Sequence, residues 1–137
     1  MKTSELKDRA LDWAVAVADG RWQKWIRSAN PKRLGTSIMG VGFDEHGVLH
    51  AWSESKDRFE PYSPSTNWEQ AGPIIEREKI DLRFSMEGSP NRNRGIGCNA
   101  RINYVAGGQG PTPLIAAMRG FVASKLGDEV DVPAELI

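Results

Sequence analysis

The sequence predicts an α+β fold: an antiparallel sheet of about four strands, in two hairpins, packed against two longer helices with a short helix between the hairpins. Three observations predict it. Apolar residues recur at helical spacing near both ends of the chain, at Leu6, Ala10, Trp13, Ala14 and Val17 and again at Leu114, Ala117, Met118, Phe121 and Val122. Between them, Ile80, Leu82, Phe84 and Met86, and then Ile96, Cys98, Ala100, Ile102 and Tyr104, alternate with polar residues, which is the period of a half-buried strand. A further pair of apolar runs, around Val41 and around Leu49, flanks the turn Asp44-Glu45-His46-Gly47 and reads as a hairpin. The 137 residues fit one domain, 1–137, long enough to bury a core without disulfides.

Taken in order, Thr3 or Ser4 opens the first helix, with Glu5 and Asp8 favourable near its positive end, and Gly20 stops it. Trp22 and Trp25, three apart, suit a second helical turn that Asn30-Pro31 breaks. Ile38, Val41 and Phe43 lead into the first hairpin, and Val48 to Trp52 returns. Residues 59–68, with Pro61 and Pro64, read as irregular and aromatic; a short helix then begins at Pro73 and runs to about Glu78. The two alternating runs follow as the second hairpin. The last helix has both ends written into the chain: Thr112 is an N-cap, Pro113 occupies the first helical position, and Gly127 suits the left-handed residue after the last turn.

Composition excludes several function classes. Lys plus Arg and Asp plus Glu both number 18, so net charge is zero, which argues against nucleic acid and against an anionic membrane as main partners. The signs are unevenly spread: Arg21, Lys24, Arg27, Lys32 and Arg33 form a basic run, whereas Asp128, Glu129, Asp131 and Glu135 make the C-terminal end acidic. A single cysteine, Cys98, excludes an internal disulfide and agrees with a reducing compartment. With no signal-peptide pattern and no apolar run of about 20 residues, a cytoplasmic protein is expected.

No residue set predicts catalysis, a metal or a cofactor. His46 and His50 lie four apart, but in a hairpin that spacing does not converge on a metal; no nearby Cys or third His completes a site, and Asp44 and Glu45 alone would give a weak one. Cys98 sits in the apolar phase of a strand and reads as a buried, inert thiol. The runs Gly95-Ile96-Gly97 and Gly107-Gly108-Gln109-Gly110 lack the Lys-Ser/Thr of a phosphate-binding loop.

Three groups remain as candidate binding residues. Prolines pre-set the loop holding Tyr62, Ser65, Thr66 and Trp68; its aromatics offer flat faces to a base or sugar, and its hydroxyls offer hydrogen bonds. The alternative is that the hydroxyls cap a turn and the aromatics close the core edge. Gly110 and Thr112 lead into the last helix, whose first N–H groups suit an anion, while Arg119, two turns on, serves a neighbouring pocket or a subunit contact. A plain capped turn is the alternative. Trp22, Trp25 and Arg27 combine stacking surfaces with charge: this suits an interface between copies of the chain, or single-stranded nucleic acid.

Several segments resemble the NinX-like family of phage proteins. They are Met1-Lys2-Thr3-Ser4-Glu5-Leu6, Ala10-Leu11-Asp12-Trp13-Ala14-Val15-Ala16, Tyr62-Ser63-Pro64-Ser65-Thr66-Asn67-Trp68, Gly72-Pro73-Ile74-Ile75-Glu76-Arg77-Glu78, the run from Gly110 to Arg119, and Ser124-Lys125-Leu126-Gly127-Asp128-Glu129-Val130. They span nearly the whole chain in the family's order; residues 21–35 and 87–95 depart from it. The resemblance implies a small accessory protein of tailed phages and prophages. With the residue readings, it leads to the expectation of a non-enzymatic binding module, a homo-oligomer that sequesters a small nucleotide-like anion of host-defence signalling. The alternatives are an adaptor that binds a host protein and a single-stranded nucleic-acid binder.

Overall fold

The computed structural model describes residues 1–20, 37–38, 41–43, 48–53, 56–85, 97–103 and 106–136. Its organising element is the last helix, α3 (Pro113–Leu126), preceded by α1 (Asp8–Ala18) and α2 (Trp68–Glu78). Thr112 Oγ1 accepts the Ile115 N–H at 3.2 Å, Pro113 opens the first turn, and Gly127 ends the helix at φ 89°. Both ends lie where the sequence predicts them. One side of α3 rests on an antiparallel sheet of β5 (Asp81–Ser85), β6 (Gly97–Ile102) and β7 (Ala106–Gly110), in that order. Elsewhere α3 meets α1 and α2. The predicted stripe of Leu114, Ala117, Met118, Phe121 and Val122 is wholly buried. It joins Leu6, Leu11, Trp13, Tyr62 and Ile74 in one core.

A second antiparallel sheet, β1 (Ser37–Ile38), β2 (Val41–Phe43), β3 (Leu49–Ser53) and β4 (Arg58–Pro61), follows chain order and meets α1 through β2 and β3. The α+β class, the antiparallel pairing and both predicted hairpins are therefore present. The strand count differs: the described residues form seven strands, in a four-stranded and a three-stranded sheet, where the sequence suggests about four. Two strands account for much of the excess. β4 lies in the stretch read as irregular; Phe59 pairs directly with Trp52 of β3, rings edge-on with centroids 5.1 Å apart. Pro61 closes this edge strand, where a missing N–H is tolerated. β7 is the glycine-rich run itself, which carries no apolar alternation.

Two helix starts also differ. α2 begins at Trp68, five residues before Pro73, because Asn67 caps it by accepting the Glu69 N–H at 2.9 Å. Burial of Ala71 and Ile74 on either side of Pro73 carries the helix across the bond that proline cannot make. At the other end of the chain, Thr3–Glu5 form a separate 3-10 turn, and Thr3 Oγ1 donates to the Gly127 carbonyl at 2.7 Å instead of capping α1. Met1 and Val130 exchange hydrogen bonds of 3.0 and 2.9 Å, and the Thr3 N–H donates to Asp128 at 2.8 Å. A short ribbon of residues 1–3 and 127–130 results.

The helices are tied at their ends. Arg77 of α2 bonds Asp19, just past α1, at 2.7 Å, while its guanidinium lies 5.8 Å from the Phe121 ring centroid of α3. Trp22, Trp25, Arg27, His46, Met86, Ile96 and Tyr104 lie outside the described residues.

Candidate functional site

The loop of residues 62–67 is not an open aromatic clamp. Tyr62 is 2% exposed and Trp68 57% exposed, so their rings face opposite environments and cannot enclose one ligand. Tyr62 packs in the core, with its N–H on the Leu49 carbonyl at 2.8 Å. Ser65 is buried too, and its N–H donates to Asp12 Oδ1 of α1 at 2.9 Å. Thr66 Oγ1 donates within the loop to the Ser63 carbonyl at 3.3 Å. Asp12 is only 6% exposed. Burial pushes its carboxyl up to about 6, against the opposing pull of the Ser65 hydrogen bonds. This loop is a joint between α1 and α2.

The glycine-rich run is likewise structural. A Cβ on Gly108 would lie 2.2 Å from the Ala116 carbonyl oxygen and 2.4 Å from the Gly120 nitrogen of α3. Only glycine lets helix and strand backbones approach this closely. At Gly110 a Cβ would meet Ile115 Cγ2 at 2.7 Å, so that position is filled by the helix rather than offered to an anion. Thr112 spends its hydroxyl oxygen on the cap. Of the predicted binding residues, Arg119 alone among these groups borders the cavity described next.

That cavity, about 760 Å³, reaches from the sheet's open face around the β7 edge, where Ala106 and Gly108 of β7 and Arg119 and Ala123 of α3 also line it. On β6, Cys98, Ala100 and Ile102 point to the core, leaving Asn99 and Arg101 on the opposite side. Register then sets two rungs across the sheet. Asp81, Arg101 and Gly107 form one, and Arg83, Asn99 and Gln109 the other. All six residues line the cavity. Arg83 Nε donates to Asp81 Oδ2 at 3.2 Å, placing one carboxylate between two arginines. Because Gly107 and Gly108 carry no side chains, the space continues around the β7 edge to Arg119. The Arg119 guanidinium bonds the Leu6 and Gln109 carbonyls, each at 2.8 Å. Burial pulls its pKa below the ordinary arginine value, yet it stays charged at neutral pH. The terminal ribbon supplies the rim through Lys2, Asp128 and Glu129.

Sequence reasoning missed Arg83, Asn99, Arg101 and Gln109. For Arg83, Asn99 and Arg101 the signal was present in the polar phase of the two alternating runs, whose apolar phase alone placed the core; Gln109 lies in β7, which has no such alternation. That apolar phase has its own exception. Ile80 is buried and Leu82 half-buried, but Phe84, in the same phase, is 71% exposed on edge strand β5. Cys98 is buried, which pushes its thiol pKa up and keeps it protonated. Among the described residues, no three His, Cys, Asp or Glu side chains are grouped to hold a metal ion. None of the described helices is long and apolar enough to cross a membrane.

Fold and cleft together define a small α+β module that presents a mixed-charge, amide-bearing floor on the open face of a sheet. Its lineage agrees with the motifs along the chain. The chain belongs to the Bacteriophage P22 NinX family, whose family model matches residues 2–125. No curated protein matches it.

Proposed function

We propose that this phage protein is a non-enzymatic binding module that sequesters a small nucleotide-like anion in the cleft over β5–β7. The observation that carries the reading is the floor itself: Arg83 and Arg101 stand on diagonal positions of two paired strands, beside the carboxamides of Asn99 and Gln109. Strand pairing fixes the spacing of the backbone positions that carry these side chains, so they converge on one surface without rearrangement of the chain. The cavity of about 760 Å³ falls within the usual range of small-molecule sites, roughly 300–1,000 Å³. Host-defence signalling molecules of nucleotide type are the anions such a phage module would intercept.

Calorimetry with linear and cyclic nucleotides tests the reading. Wild-type protein freed of carried-over ligand should bind at least one member, and Arg83→Ala with Arg101→Ala should weaken that binding by about tenfold or more, since charge-assisted contacts are the strong ones. No heat with any member would remove the proposal.

Self-association is a second reading, favoured by two large apolar side chains in water, Trp68 and Phe84. We propose that they meet a second copy of the chain; a light-scattering mass of one chain at micromolar concentration would exclude it.

A further inference from the structure

We infer that the ligand of this cleft is a nucleoside monophosphate, with one planar ring laid on Gly107 and one phosphate at the arginine pair. The inference rests on the proposed anion-binding role of the cleft and specifies its chemistry. The ring position follows from the first rung. Gly107 is exposed and directly opposite Arg101, so a flat patch of backbone lies beside a guanidinium able to stack on an aromatic face. The ring's edge then meets the second rung. Asn99 and Gln109 are cross-strand partners, and their carboxamides offer both donors and acceptors, the complement of a nucleobase edge.

The phosphate lies across the sheet. From β7 to β5 is two inter-strand steps, about 10 Å, a span that one ribose bridges between ring and phosphate. Arg83, on β5, stands at the far end of that span, and Arg101, on the central strand β6, stands midway, where its guanidinium lies between ring and phosphate. Charge fixes the count of phosphates. The floor carries Arg83 and Arg101 against Asp81, and the rim carries Lys2 against Asp128 and Glu129. Arg119 is already committed to two backbone carbonyls. The floor's excess of one positive charge is already offset by a single phosphate, which carries about −2 at neutral pH, and the acidic rim repels a second.

Calorimetry on the wild-type protein tests the inference, with the four common nucleoside 5′-monophosphates, their diphosphates, ribose 5-phosphate and inorganic phosphate as probes. At least one monophosphate should bind about tenfold or more tightly than ribose 5-phosphate, the discrimination expected of one good set of base-edge contacts. The matching diphosphate should bind no more tightly. Asn99→Ala and Gln109→Ala should bring the monophosphate to the ribose 5-phosphate level, whereas Arg83→Ala should weaken both probes alike. Ribose 5-phosphate binding as tightly as every nucleotide would overturn the ring assignment while leaving an anion cleft in place. A diphosphate that binds about tenfold more tightly would overturn the single-phosphate assignment. Silence from every nucleotide, cyclic ones included, would remove the anion-binding role as well.

Discussion

The two faces of the β5–β7 sheet are built from alternate residues of the same strands, and they behave as opposites. On the inner face, Cys98, Ala100 and Ile102 are buried and α3 lies so close to β7 that Gly108 has no space for a methyl group. On the outer face, Asp81, Arg83, Asn99, Arg101 and Gln109 stand over an open cavity. Neighbouring glycines show the contrast within one strand. Gly108 lacks a side chain so that a helix can come in, whereas Gly107 is exposed and a Cβ there would press only on the Ala100 carbonyl oxygen, at 3.0 Å. The lesson is that a strand with period-2 alternation carries two independent messages, one for the core and one for the open surface.

The sharpest way to break this contrast is Gly108→Ala. The obstructing atoms are backbone atoms of α3, which cannot rotate aside, so the loss should be about 3 kcal/mol, the upper part of the usual overpacking range. Urea denaturation measures it. A loss under about 1 kcal/mol would mean that helix and strand separate easily, and the inner face would no longer differ in kind from the outer.

A second test compares carboxylates kept dry and wet. Asp81 shares the outer face with Arg83 at the surface, whereas Asp12 is buried. The Asp12 carboxyl titrates at about 6 in the folded protein, against 3.8 as its ordinary value. Between those values the folded state holds the extra proton. The contribution therefore favours folding at low pH, declines as pH rises from about 4 to about 6, and is flat above that window. Its size should be on the order of 2 kcal/mol. Asp12→Asn keeps an acceptor for the Ser65 N–H while removing the charge, so it should flatten this part of the profile and exceed wild type in stability at pH 7. Identical pH profiles for the two proteins would assign the titration to another group.

The smallest expected effect lies on the outer face. Arg83→Ala removes an exposed ion pair and should change stability by no more than about 0.5 kcal/mol. A loss of about 1 kcal/mol or more would show that the outer face holds the fold together and is not reserved for recognition.

What could be read from the chain depended on how local the physics was. The caps of α3 are decided within a few residues of Thr112 and Gly127, and both are where the sequence places them. The alternation through Cys98, Ala100 and Ile102 is equally local and correctly marks the buried side of β6. β7 was illegible because a strand of Ala, Gly and Gln has no hydrophobic period; its place is set by β6 on one side and α3 on its face. The 62–67 loop misled for a related reason. Tyr62 and Trp68 look alike as aromatics, and only Asp12, far away in sequence, draws Ser65 and the loop inward. The partners of Arg119, the Leu6 and Gln109 carbonyls, are known only from the fold.

The terminal ribbon gives the cleft a history as well as a shape. β5, β6, β7 and α3 occupy one continuous stretch of chain, residues 81–126, so their contacts close short loops and are expected early in folding. The Met1–Val130 hydrogen bond spans 129 positions and carries a far larger closure cost. The rim is then the last part to assemble and the first to open, with the earliest amide exchange at Thr3 and Val130. These backbone hydrogen bonds thus close the rim beside a floor already set.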